Sequence, residues 1–279
     1  MCAGPQCSGS TLVSWCFLQR RDMDGVLDAE YDLLPRISPS LGRPLTWCKT
    51  TISSFRLSEL VSHYEDQGWM VSPLLIVRDV RETWASLLVK SYGLNGITAE
   101  DPPLRLRLRR FKEDWKLFQA NDWPILRYES LLENHENALR EACQRLGLPW
   151  DDSMLHWNKE AAQIADVSRG SESFRQTQGR SLAETLACYS ARTKKQTVIG
   201  GGDLAWLEDE FRQYNADNGY PTHLADCVTA GDRDSVPICS FRETRRYRWE
   251  LQRKPIRWLL DSMGMPDSSL DSRFTKKAG

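Results

Sequence analysis

Leu74-Leu75-Ile76-Val77 is an unbroken apolar run that ends on a charged residue, Arg78. A strand with one wet face alternates apolar and polar side chains, so a run without alternation is expected to be buried on both faces. Sheets are covered on both faces when parallel strands alternate with helices. Residues 46–48 (Thr-Trp-Cys) read as a short strand ending at Lys49, and 124–128 (Pro-Ile-Leu-Arg-Tyr) as another. Between them, 55–67 places Phe55, Leu57, Leu60, Val61 and Tyr64 on one side of a helix that Gly68 stops. A helix is expected at about 81–91. A longer one starts near Pro102-Pro103 and reaches about 120, with a stripe of Leu104, Leu108, Phe111, Trp115 and Phe118. Arg105, Arg107, Arg109 and Arg110 fall between these and read as a solvated face or the border of an anionic acceptor. Ser130 and Glu133 form a capping box for a helix at 131–146, which Gly147 closes. Residues 21–45, with Pro35, Pro39, Gly42 and Pro44, read as irregular. A helix at about 204–216 ends before Gly219-Tyr220-Pro221, after a Gly200-Gly201-Gly202 break.

The expected fold is therefore α/β, a parallel sheet flanked by helices, over residues 1–222. Residues 223–279 read as a basic extension, partly helical with a disordered end; 242–257 is its most basic stretch, expected as a solvated helix or a dock for an anionic partner. In 279 residues, 37 Lys and Arg face 38 Asp and Glu, which argues against a bulk polyanion binder such as a nonspecific nucleic-acid protein. Any anion site must be local. The 8 Cys show no CxxC and no Cys/His pair at metal-ligand spacing. With no secretory leader and no apolar run of about 20 residues legible, a cytoplasmic chain with reduced thiols is expected. The 11 Trp read as core, with an aromatic acceptor cleft as the alternative.

The candidate chemistry lies at the ends of the expected strands, where open parallel sheets bind their ligands. Gly4-Pro5-Gln6-Cys7-Ser8-Gly9-Ser10-Thr11 has the spacing of a phosphate loop leading into a helix at 11–20, capped by Ser8 or Ser10. Only Met1-Cys2-Ala3 precede it, which leaves open whether the strand before the loop is complete. A triphosphate-binding loop carries Lys at the place of Ser10, so kinase or ATPase chemistry is disfavoured. Arg78 and, eight residues on, Ser86 in the next helix pair a charged fork with a neutral donor, suited to a terminal phosphate.

These segments resemble the sulfotransferase family that uses 3′-phosphoadenosine 5′-phosphosulfate. That family has a 5′-phosphosulfate loop of the type P-[KR]-S-G-T-T-[WL], matched here by Pro5 to Leu12. It has a 3′-phosphate motif of Arg and a later Ser, matched by Arg78 and Ser86, and a strand of the type V-x-Y-E-D-L leading into a helix ending L-G-L-P. Leu126 to Leu131 and Leu146-Gly147-Leu148-Pro149 match the last. The resemblance covers about residues 1–150, in order and spacing, and implies a sulfotransferase fold of the phosphate-loop NTPase type. It implies that Gln6, Cys7, Ser8, Gly9, Ser10 and Thr11 hold the 5′-phosphosulfate, that Arg78 and Ser86 hold the 3′-phosphate and that Tyr128 contacts the adenine. It also implies that Lys49 acts on the transferring sulfonate, with no metal.

A Glu about twenty residues past the loop serves as base in some relatives; Glu30 is nearest, beside Asp28, with Glu59 and His63 as rivals. Two positions depart from the pattern. Cys7 stands where the loop is usually basic, and Thr51 where some members have a His base. Lys49, or an Arg from 169–194, is a candidate for the missing charge. The expected activity is transfer of a sulfonate to a hydroxyl or amine of an unidentified small-molecule or carbohydrate acceptor. The alternative is a catalytically silent relative that binds nucleotide or a partner.

Overall fold

A computed structural model describes residues 1–26, 43–52, 57–66, 68–89, 103–159, 179–193, 197–221 and 227–230. The expected strand at 74–77 is β4 (Leu74–Val77), with all four residues buried. Leu74 and Ile76 enter one hydrophobic cluster, Leu75 and Val77 another. That is the two-faced burial its lack of alternation required.

Around it lies a five-stranded, wholly parallel sheet in the order β2-β3-β1-β4-β5. The other strands are β1 (Cys2–Gly4), β2 (Met23–Val26), β3 (Leu45–Thr51) and β5 (Ile125–Arg127). Parallel neighbours need crossovers, and helices supply them. These are α1 (Ser10–Leu18) after β1, α2 (Leu57–Asp66) after β3, and α3 (Val80–Val89) and α4 (Pro103–Ala120) after β4. After β5 come α5 (Tyr128–Glu133) and α6 (His135–Arg145). Beyond a short 3₁₀ turn at Asp152–Leu155 lie α7 (Leu182–Thr193), α8 (Gly201–Glu210) and α9 (Arg212–Asp217). A two-stranded parallel pair joins β6 (Thr197–Gly200) to β7 (Cys227–Ala230). The fold class is thus α/β.

Each face of the sheet has its own core. On one, Trp15, Phe17 and Leu18 of α1 pack with Trp47, Leu139, Cys143, Met154 and Trp157; Phe17 stacks flat on Trp47 with centroids 4.2 Å apart. On the other, Leu108, Phe111, Trp115 and Phe118 of α4 pack with Trp84, Leu207, Phe211 and Tyr214. The Trp-rich composition therefore serves the core at Trp15, Trp47, Trp84, Trp115 and Trp157. Cys2, Cys16, Cys48 and Cys143 are buried and in no disulfide, and burial pushes Cys2 up to about 11 and Cys16 up to about 12.

Several local expectations change. Residues 23–26, expected to be irregular, form β2; Gly25 lies so close to β3 that a Cβ there would meet the Trp47 carbonyl oxygen at 1.9 Å. β3 does not end at Lys49 but runs on to Thr51. The capping box at Ser130 and Glu133 is absent. Ser130 lies inside α5, and Asn134 caps α6 by accepting from the Asn137 N–H at 3.2 Å. Gly147, at φ 68, does close α6: its N–H bonds the Gln144 carbonyl and the Leu148 N–H bonds that of Cys143. The helix expected at 204–216 is two helices broken at Phe211. β7, lying in the expected extension, pairs with β6. No helix among the described residues is long and apolar enough to cross a membrane. The segment 242–257 lies outside the described residues.

Candidate active site

The chain order turns at β1: it passes to β2 on one side, returns through β3, and then crosses to β4 on the other. The crevice at a parallel sheet's switch point lies beyond the carboxyl end of such a strand, and here it holds the loop between β1 and α1. Two hydrogen bonds fold this loop back onto the sheet. The Ile52 N–H donates to the Gly4 carbonyl at 3.0 Å and the Ser8 N–H to the Pro5 carbonyl at 3.1 Å. Cys7 (φ 68) and Gly9 (φ 91) both have left-handed backbones, a feature of anion-binding backbone nests. Gly9 is also the N-cap of α1 and carries no side-chain cap, contrary to the expectation that Ser8 or Ser10 fills that role. The N–H groups of Ser10, Thr11 and Leu12, in the first turn, have no acceptor within their own helix. Ser8 Oγ is fully buried and, among the described residues, has no hydrogen-bond partner. These donors, with the helix dipole behind them, suit an anion.

Both loop glycines are forced by close approach. A Cβ on Gly4 would lie 2.5 Å from Ser8 Oγ, and one on Gly9 would lie 2.3 Å from Cδ2 of Tyr128. The Tyr128 ring thus closes on the loop. The Arg78 guanidinium lies 4.9 Å from the centre of that ring and donates from Nη1 to the Cys7 carbonyl at 2.8 Å. Loop, strand-end arginine and aromatic ring thus meet at one place.

Arg78 is itself held. It contacts Glu82 Oε2 at 3.4 Å, and the Tyr214 hydroxyl donates to its backbone carbonyl at 2.8 Å. Glu129, next to Tyr128, accepts from the Asp79 N–H and from the Tyr220 hydroxyl, both at 3.0 Å. Burial raises Glu129 above the usual carboxylate range, only partly offset by those donors and by Arg78. Asp79 grips Arg81 in a buried pair at 2.7 Å, and Arg81 donates to the Pro221 carbonyl at 2.7 Å. So α9 and the turn after it brace the ends of β4 and β5.

A second arginine reaches the loop: Arg107 of α4 donates to Gln6 Oε1 at 2.5 Å. Its neighbours pair with α8, Arg105 to Asp203 at 2.9 Å and Arg109 to Glu210 at 3.3 Å. Arg105, Arg107 and Arg109 therefore depart from the expected solvated face, because their partners lie about a hundred residues away and are invisible to helix periodicity; Arg110 pairs within its own helix, with Glu113 at 2.7 Å. Lys49 is buried in β3 opposite Cys2, with Nζ 3.4 Å from Thr51 Oγ1. Gln6, Cys7, Gly9 and Thr11 are half-buried and Ser10 is buried. Ser86 is half-buried on α3. Of the candidate bases, Glu30 and Asp28 lie outside the described residues, as does the His63 side chain, and Glu59 is exposed on α2. Glu129, Tyr214 and Tyr220 join the site without having been expected there; Arg107, expected on a solvated face or an acceptor border, meets the loop at Gln6. Among the described residues no group of three or more His, Cys, Asp or Glu could hold a metal ion.

Compared with models of known protein families and with curated proteins, the sequence matches none.

Proposed function

We propose that the chain is a sulfotransferase of the phosphate-loop type, moving the sulfonate of 3′-phosphoadenosine 5′-phosphosulfate to a hydroxyl or amine of an acceptor. The observation that carries the reading is the Arg78 contact: one guanidinium touches the Cys7 carbonyl of the loop and covers the Tyr128 ring that closes on Gly9. An anion on the loop, a second anion on Arg78 and an aromatic base on Tyr128 then belong to a single ligand. A nucleotide phosphorylated at both 5′ and 3′ positions has that shape. The buried, unpartnered Ser8 Oγ fits such a ligand as a donor awaiting an oxygen. Ser10 in place of Lys turns the loop away from triphosphates.

When bound, the donor supplies a sulfonate on a phosphate leaving group. The loop N–H groups and the Ser8 and Ser10 hydroxyls hold the 5′-phosphate side; Arg78 and Ser86 hold the 3′-phosphate. Negative charge grows on the bridging oxygen as its bond to sulfur breaks, and Lys49 stabilises it. The acceptor oxygen or nitrogen forms the new bond to sulfur and yields its proton to a base; Glu30 is the candidate.

A second reading, a silent relative that binds nucleotide without turnover, draws on Cys7. The loop position that is basic in the family carries a thiol here. The reach of Arg78 and Arg107 to Cys7 and Gln6 favours the active reading, since two cations approach the loop from other elements.

The test is binding of adenosine 3′,5′-bisphosphate. Saturable stabilisation in a thermal melt, lost in Arg78→Ala, is expected; no shift in the unsubstituted protein refutes the reading.

A further inference from the structure

A cleft of about 500 Å³ lies at the opposite end of the sheet, lined among the described residues by Gln19, Arg21, Arg43, Ser153, His156 and Asn158 with Lys159. It sits where α1 ends and β2 begins, roughly 13 Å along α1 from the phosphate loop at 1.5 Å per residue. No described lining residue is a carboxylate. The acids nearby have other work. Asp22 takes both arms of Arg20, at 3.0 and 2.8 Å. Asp151 accepts from the N–H groups of Ser153 and Arg21. Asp24 forms an ion pair with Arg43, Oδ2 to Nε 3.8 Å, and Arg43 Nη1 donates to the Arg21 carbonyl.

Two side chains give the cleft a built character. Lys159 spends its three N–H donors on the carbonyls of Leu18, Arg20 and Met23, at 2.7 to 2.8 Å. That saturates the ammonium at the carboxyl end of α1 while leaving its charge at the cleft wall. Gln19 is only 3% exposed. Its Oε1 accepts the Lys159 backbone N–H at 2.9 Å, which fixes the amide orientation, and its Nε2 is buried with no partner among the described residues. A buried donor without an acceptor costs about 1–3 kcal/mol, so such groups ordinarily have one. An anion supplies an acceptor for Gln19 Nε2 and adds negative charge beside Arg21 and Lys159. Burial also draws Lys159 below the usual lysine range, and an anion opposes that pull.

We propose that this cleft is a second ligand site, distinct from the nucleotide loop, for a small metabolite bearing an oxyanion, a carboxylate or a phosphate. It stands whether or not the sulfotransferase reading does. The test is calorimetric titration of the full chain at fixed ionic strength with citrate and, separately, inorganic phosphate; whichever binds names the class. Gln19→Glu keeps the acceptor for the Lys159 N–H and replaces the donor with a charge; Arg43→Ala alters a half-exposed residue. Each is expected to weaken binding about ten-fold or more, the loss of a charge-assisted hydrogen bond. Arg78→Ala leaves it unchanged. The proposal is overturned if neither anion binds saturably up to about 10 mM. Binding that survives both cleft substitutions, or that Arg78→Ala abolishes, also overturns it.

Discussion

Gly9→Ala isolates the contact that joins the loop to Tyr128. Two costs add. The left-handed backbone at φ 91 costs a non-glycine residue about 1–2 kcal/mol. The new methyl would also stand 2.3 and 2.7 Å from two Tyr128 ring carbons, an overlap that shifts ring or backbone for about 1–3 kcal/mol. The expected loss is about 2–5 kcal/mol, or a fall in melting temperature of about 3–9 °C at this chain length. Gly68 is the control, with a similar backbone at φ 86 but nothing within 4 Å of its would-be Cβ. Gly68→Ala meets only the backbone cost, less a gain of about 0.4–1 kcal/mol from a stiffer unfolded chain. Thermal and urea denaturation of both variants, and of Gly9→Ala combined with Tyr128→Ala, separates the terms. Removing the ring should return the steric part, so the double variant is less destabilised than the sum of its singles. If Gly9→Ala melts no lower than Gly68→Ala, or the double variant is strictly additive, Tyr128 does not close on the loop.

Other outcomes follow from the bracing behind Arg78. Glu129 has a raised folded pKa, so its contribution to stability is fully present below the ordinary carboxylate pKa and fades as pH rises through the higher folded value. Glu129→Gln keeps an acceptor for the Asp79 N–H and should flatten that part of the stability profile, as measured by urea midpoints across the acidic range; an unchanged slope contradicts the burial of the charge. Arg81→Ala strands Asp79 in a pair whose members are 0% and 5% exposed and should cost about 3–5 kcal/mol in denaturant titration. A loss under about 1 kcal/mol would mean that the pair is solvated.

What the sequence disclosed followed the strength of local signals. β4, α4 and the Gly147 stop were legible because an unbroken apolar run, a regular stripe and a C-terminal glycine each act within a few residues. β2 was hidden because Asp24 and Gly25 are poor strand formers, and Gly25 is there to admit the Trp47 backbone of the next strand. The break at Asn134 was hidden because Ser130 and Glu133 imitate a cap that Asn134 supplies. At the site, Arg78 and Tyr128 were legible as residues at strand ends, and their mutual contact was not. Arg107 looked like one of four similar arginines; only the packing of α4 beside the loop sets it against Gln6. Glu129 was read as part of a motif, while its partners Asp79 and Tyr220 come from β4's end and the far side of α9. Long-range polar contacts leave no periodic trace, and that is where the site's support lies.

The most direct measurement is incubation of the full chain with donor labelled in its sulfonate and a broad panel of hydroxyl and amine acceptors. Label transferred to an acceptor, with Lys49→Ala lowering the rate about 10²-fold or more while still binding adenosine 3′,5′-bisphosphate, is the predicted result. Bisphosphate binding with no transfer to any acceptor would contradict the catalytic claim and leave a silent nucleotide binder.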